Sequence, residues 1–255
     1  MSQFTLSCTT CATRQPNKDE VSECFTHAPK AGYKAWGIAG PICWTPGLLQ
    51  WVNTDELLCQ ANAVGLTQCT EVYGPAFPTD SIQAAQDAAK NLVLLFDLAE
   101  KLGSPLVVIS GRKRTDMGLE ATIAGIEALL PLIEDRPVKL ALEPHYGAQI
   151  QYLEDYDAIF ERIKTPQIGI TLDSGHFHAA GVDWQNVIDK YTDRIYNFHV
   201  KDHIGTQSVA IGAGEVDLKA YISALHEINY EGALAVELEV EDFENLIRYG
   251  TEAYQ

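Results

Sequence analysis

Four stretches of the sequence carry a side chain able to hold a metal ion. They are KLALEPH (139–145) with Glu143, TLDSGH (171–176) with Asp173, NFHVKD (197–202) with His199 and AVELE (235–239) with Glu237. In each, the polar group stands within or at the end of a short apolar run. Burying a carboxylate or an imidazole costs free energy unless it is paired or bound, so the recurrence asks for a shared partner. Three carboxylates and one imidazole form an oxygen-rich set with one nitrogen. Such a set suits Mn²⁺, Mg²⁺, Co²⁺ or Zn²⁺ with positions left open for substrate. Each residue also has a plainer reading. Glu143 could be a solvated loop residue, Asp173 a helix cap, His199 a satisfied core histidine, and Glu237 part of an exposed acidic edge in ELEVED.

Whether the four meet depends on the elements that carry them. Apolar runs at 4–10, 33–40, 66–74, 105–111, 139–145, 167–175, 195–202 and 232–239 read as strands. Helical patterns separate them at 80–102, 116–132, 153–163, 183–191 and 217–228, and a last one runs over 242–254. These helices open near acidic residues, which suit a helix N-terminus. Strands alternating with helices imply parallel pairing through helical crossovers. Eight such units in 255 residues predict one α/β domain over 1–255, a single closed (β/α)8 TIM barrel. A doubly wound open sheet is the runner-up, but no GxGxxG follows the first strand. In a barrel the C-terminal rims of strands five to eight adjoin, and that face holds the active site.

Composition narrows the partners. Thirty-five acidic residues against 18 basic ones leave a net charge of -17. A surface so negative repels nucleic acid and anionic membranes. No apolar run reaches membrane-spanning length, and no signal peptide is visible at the start. The expected setting is cytoplasmic. The six cysteines, all in the first third, include a CxxC at Cys8 and Cys11. No second pair completes a zinc site, so they read as small reduced core residues.

Other residues could serve the same rim. His145, two residues beyond Glu143, points to the same side if the chain stays extended, and imidazole titrates near neutral pH as a general acid or base must. Lys201 could stabilise an enolate oxygen or a substrate carboxylate, or simply pair with Asp202. Glu71, read as the end of strand three, could bond substrate hydroxyls or be a solvated carboxylate. Trp44, in GPICWTPG, could wall a sugar pocket or anchor a loop. His203 is a weaker candidate for the rim, and His178 reads as structural. Arg112, Lys113 and Arg114 form the one short basic cluster, which could meet an anionic substituent or be a solvated loop. Gly212 and Gly214 predict a tight turn that brings backbone close to the site.

Taken together, ALEPH, LDSGH, FHVKD, IGAGEVDL (211–218) and AVELE resemble, in order and spacing, the xylose isomerase-like TIM barrels. That group contains sugar isomerases, sugar-phosphate epimerases and related dehydratases. The resemblance implies that Glu143, Asp173, His199 and Glu237 hold one divalent metal, manganese above the others, and that His176 contacts substrate. It also implies a sugar, sugar phosphate or other polyol as substrate. Barrels of this kind often pair, so a homo-oligomer is expected.

The leading expectation is an isomerase or epimerase of a keto sugar, sugar phosphate or cyclitol. Glu143 and Glu237 would remove and return a proton on either side of a metal-bound enediolate. The alternative is a dehydratase or eliminase of a keto sugar, cyclitol or dehydroshikimate-like substrate, in which His145 assists departure of the β-oxygen. Some dehydratase-type members resemble this Glu-x-His arrangement. The arginine that ketohexose epimerases carry six residues after the metal histidine is Gly205 here, against that one activity. Endonuclease IV-like DNA repair shares the fold but needs further metal histidines that the early strands lack. A non-catalytic binding barrel is the remaining possibility.

Overall fold

The computed structural model describes residues 4–255. Eight parallel strands close into a barrel: β1 Thr5–Thr9, β2 Ala35–Ile38, β3 Gln68–Gly74, β4 Leu106–Ile109, β5 Lys139–Leu142, β6 Ile168–Asp173, β7 Ile195–Val200 and β10 Ala233–Val236. Between β7 and β10 lies an antiparallel hairpin, β8 Asp202–Ile204 and β9 Gln207–Val209. Helices wrap the outside. Ile82–Leu102 and Gly118–Ile133 pack against each other and cover the β3–β4 sector. Residues such as Val107, Ile109, Leu140 and Leu142 face these helices in the large outer core. Leu106, Val108 and Ala141 turn inward and pack with Tyr73 and Tyr196 inside the barrel.

Two register shifts set which polar residues face inward. Trp36 pairs with Cys69 and Gly37 with Glu71, so Thr70 is an extra residue on β3. Thr70 and Glu71 then both point into the barrel. Thr70 bonds Ser7 of β1 at 2.7 Å across the interior, and Glu71 reaches β7. On β7, Ile195 pairs with Ile170 and Asn197 with Thr171, leaving Tyr196 as the extra residue. Beyond that bulge, Asn197, His199 and Lys201 alternate on the inner face. Bulges of this kind re-aim side chains next to active sites.

The strands are shorter than the sequence patterns suggest. The run 167–175 ends as strand at Asp173, because that carboxylate accepts the backbone N–H of His176 at 2.8 Å and starts the helix Ser174–Ala180. The run 195–202 breaks after Val200, and its tail opens the hairpin. The C-terminal helix covers only Leu246–Glu252. The helix Thr54–Ala63 has no counterpart in the sequence reading, since it buries only Ala61 and so shows little apolar periodicity.

The turn at Gly212 and Gly214 also differs from expectation. Gly212 adopts φ +83°, but the loop closes on Asp202 and not on the barrel mouth. The buried Asp202 carboxylate accepts from the backbone N–H groups of Gly212 (2.8 Å), Gly214 (2.9 Å), Val216 (3.2 Å) and His203 (3.0 Å). Lys201 therefore does not pair with its neighbour. Asp202→Ala leaves these donors unpaired and should lower unfolding free energy by about 2–3 kcal/mol. Urea titration followed by circular dichroism checks this, and Asp202→Asn should recover part of the loss.

Candidate metal centre and its cavity

The repeated strand ending converges in space. Glu143 stands one residue past β5, Asp173 closes β6, His199 lies on β7 and Glu237 one residue past β10. Asp173 and His199 are register partners, and His199 pairs on its other side with Ala235. One potential ligand atom from each of the four lies within 4.8 Å of all the others, and all four residues are buried. His199 Nδ1 is the centre of the group. It lies 2.6 Å from Glu143 Oε1, 3.4 Å from Glu237 Oε2 and 3.8 Å from Asp173 Oδ2.

Lys201 stands beside this tetrad, almost fully buried. Its ammonium is 2.9 Å from both Glu237 and Glu239 and 3.2 Å from Asp173 Oδ2. It also approaches His176 Nε2 at 3.1 Å. Burial opposes the charge on Lys201, but Asp173, Glu237 and Glu239 override it and hold its pKa well above the ordinary value. Burial also opposes a charged His199, and Glu237, Glu71 and Glu143 again prevail. Burial raises the Glu143 pKa above the usual range despite His199. Glu237 goes the other way: burial is outweighed by His199 and Lys201, which keep it ionised. Burial makes the charged form of His176 unfavourable, and Lys201 and His145 add to that, so His176 is neutral.

This donor set fits a divalent cation. Even with His199 protonated, two positive groups face five carboxylates: Glu71, Glu143, Asp173, Glu237 and Glu239. Asp173 Oδ2 is buried with the shared Lys201 ammonium, 3.2 Å away, as its one close polar neighbour among the described residues besides His199. A buried carboxylate oxygen left in this way is costly unless a further cation is shared.

Above the tetrad opens a cavity of about 400 Å³, lined by Arg14, Trp44, Tyr73, Arg112, His145 and Lys201 among others. That size suits a small molecule. His145 does face the site. Its ring lies over that of His176 with centroids 3.7 Å apart, and the pair forms a second cluster with Glu239. Trp44 lines the cavity half-exposed, with the Arg14 guanidinium 5.1 Å above its ring. Of the basic cluster only Arg112 lines the cavity, because Arg114 is engaged by Asp155. His203 is buried behind His176 with no partner on either ring nitrogen, and His178 pairs with Glu215 at 3.3 Å. Both cysteines of the CxxC are free and buried, and Cys11 reaches the cavity wall.

Glu71 requires correction. It lies within β3 and not at its end, it has no exposed surface, and its carboxylate is bonded by Asn197 and His199. It cannot meet a substrate hydroxyl from there. Two residues were missed. Tyr73 donates its hydroxyl to Glu143 Oε2, and its position two residues after Glu71 on one strand was the available signal. Glu239, part-exposed at the rim, pairs with Lys201 at 2.9 Å. Its spacing of two from Glu237 carried the same information.

The chain matches the family model described as Xylose isomerase-like TIM barrel over residues 25–254. It belongs to that family. The inosose dehydratase of Clostridium perfringens strain 13 is 28% identical over 87% of this chain and 83% of its own length. Three other curated inosose dehydratases match over less than half of their length, 45% in the first case, and three more over 64%. Among solved structures, the 3-keto-D-glucoside 4-epimerase YcjR from E. coli aligns with a TM-score of 0.77 at 17% identity, covering 99% of both chains. The IolI protein with a bound zinc atom aligns at 0.78 and 20% identity, covering 98% of this chain and 96% of its own. No helix among the described residues is long and apolar enough to cross a membrane.

Lys201 is the one ammonium among these carboxylates. Lys201→Met should destabilise the chelator-treated protein by about 3–5 kcal/mol. Added Mn²⁺ should shrink that loss. Urea unfolding with EDTA and with Mn²⁺ measures both.

Proposed function

We propose that the protein is a divalent-metal-dependent lyase that removes water from a keto-cyclitol or related keto-polyol. Glu143, Asp173, His199 and Glu237 would hold the ion. Manganese, magnesium, cobalt and zinc all suit this set, and the zinc reported for the IolI protein agrees with it. When bound, such an ion supplies Lewis-acid polarisation of the substrate carbonyl.

The chain's own residues supply the rest. Glu237, held ionised, would take the proton from the carbon next to the carbonyl. The Lys201 ammonium lies beside it to receive the negative charge that develops on oxygen. The electron pair left by the broken C–H bond then forms a carbon–carbon double bond as the C–O bond one carbon further breaks. His145, on the cavity wall, gives a proton to the departing oxygen, which leaves as water. Neutral His176 binds a hydroxyl beneath it, and Trp44 offers an aromatic face to the C–H face of the ring.

The observation that carries the reading is the His145–His176 stack against Lys201 on the tetrad's open side. Elimination needs such an extra proton donor, and the long match to an inosose dehydratase is in keeping with it. A second reading, epimerisation or isomerisation, is favoured by the pairing of Glu143 and Glu237 about His199. There two carboxylates suffice and the β-oxygen stays.

Incubation of an inosose and of keto sugars with Mn²⁺ in deuterated water separates the two. Dehydration gives a new enone absorbance and a product lighter by one water. Deuterium uptake at unchanged skeleton mass would establish epimerisation instead. EDTA should abolish turnover and added Mn²⁺ restore it. His145→Ala should cut dehydration about 10²–10⁴-fold while metal content is unchanged.

A further inference from the structure

Beneath the tetrad, on the side away from the cavity, the barrel interior carries a polar layer that no substrate can reach. Glu71 and Asn197 are its charged and amide members, both without exposed surface. Glu71 Oε2 is 2.9 Å from His199 Nε2 and also accepts from Asn197 Nδ2. The other ring nitrogen of His199, Nδ1, faces the tetrad.

An imidazole that binds a cation must offer a lone pair on one nitrogen, and a neutral ring has only one to offer. Which nitrogen that is depends on where the remaining proton is held. Glu143 Oε1, 2.6 Å from Nδ1, belongs to the tetrad that would share the ion, while Glu71 Oε2, 2.9 Å from Nε2, is the acceptor that can hold the proton there. Asn197 fixes the same oxygen from a second direction, so the Glu71 carboxylate cannot swing away without losing two bonds. Its other oxygen, Oε1, has no partner and packs against Gly37 of the neighbouring strand.

Gly37 shows how closely this arrangement is built. A Cβ added there would lie 2.7 Å from Glu71 Cγ and 3.0 Å from Oε1. The φ at Gly37 is not positive, so the absence of a side chain serves the approach of Glu71 and not a turn. The two bulges complete the arrangement. The extra Thr70 turns Glu71 inward, and the extra Tyr196 puts Asn197 and His199 on the inner face opposite it.

We propose that Glu71, acting through His199, is the positioning residue that presents His199 Nδ1 to the cation. It touches neither ion nor substrate. The proposal rests on the metal-dependent reading above, and its test separates the two.

Mn²⁺ affinity and stoichiometry are measured by competition with a fluorescent chelator, for wild type, Glu71→Gln, Glu71→Leu and Gly37→Ala. Wild type should bind one Mn²⁺ per chain. Glu71→Leu should weaken binding about 10–100-fold. Glu71→Gln, which keeps an oxygen acceptor but loses its charge, should fall between. Gly37→Ala changes no ligand and no acceptor, yet by displacing Glu71 it should also weaken binding. The visible spectrum of bound Co²⁺ should shift in the same order. Urea unfolding in EDTA reports whether each variant is folded. If Glu71→Leu does not fold, the other two variants decide. Variants that bind Mn²⁺ like wild type with an unchanged Co²⁺ spectrum would overturn the positioning role and leave the metal reading intact. A wild type that binds no cation would overturn the metal reading, and the positioning role with it.

Discussion

The structure depends on how buried negative charge is held at the C-terminal mouth of the barrel. Five carboxylates converge there on one imidazole and one ammonium. In water such groups would repel only weakly, but Glu71, Glu143, Asp173 and Glu237 are buried and lose most of their solvation, while Glu239 stays part-exposed at the rim. The charges are arranged in layers. Glu71 lies deepest and is held by Asn197 and His199. Glu143, Asp173 and Glu237 surround His199 Nδ1. Glu239 and the Lys201 ammonium close the side toward the cavity. Each level is neutralised by the next, and the middle level is the one left short of positive charge. A divalent ion would supply what is missing at that level.

This layering needs inward-facing side chains at unusual positions. Regular alternation on β3 would place Thr70 and Glu71 on opposite faces. The bulge puts both inside, so Thr70 can bond Ser7 while Glu71 bonds His199. The β7 bulge likewise keeps Tyr196 in the apolar base of the barrel while Asn197 begins the polar half. The lower interior is closed by Leu106, Val108 and Ala141 with the Tyr196 ring. An apolar plug below and a polar layer above confine the charge to the end where ligands enter.

These same bulges mark what could be read from sequence and what could not. The barrel and the four ligand candidates were legible because alternating strands and helices impose parallel order, and four apolar runs each meet an acid or imidazole at equivalent places. Glu71 was misread because nothing local in QCTEVYG shows that Thr70 is an extra residue. The inserted residue is apparent only from what β2 pairs with. Glu239 was not singled out for a different reason: ELEVED looks like solvated edge, and Glu239 does stay part-exposed, yet Lys201, 38 residues earlier, lies against it. Gly212 and Gly214 were read correctly as a turn but assigned the wrong centre. The anchor, Asp202, binds backbone and not a ligand.

The two halves of the barrel contribute differently, and this bears on how one fold supports several reactions. Strands β5, β6, β7 and β10 supply the ligand set as a contiguous arc. Strands β1 to β4 and their loops supply the facing wall: Arg14, Trp44, Tyr73 and Arg112. Under the proposed function, changes in that wall would alter which hydroxyls or charges a substrate can present without disturbing the four candidate ligands. Under that function, the choice between expelling an oxygen and returning a proton would rest on groups at the seam between the arcs. His145 follows β5 and stacks on His176, and Tyr73 bonds Glu143 across from β3. A ligand carboxylate tied to a phenol on one side and an imidazole on the other is restrained as a proton carrier. Glu237 has no such phenol and pairs instead with the Lys201 ammonium at 2.9 Å. The asymmetry between the two glutamates thus comes from Tyr73 on the wall and from Lys201 beyond β7.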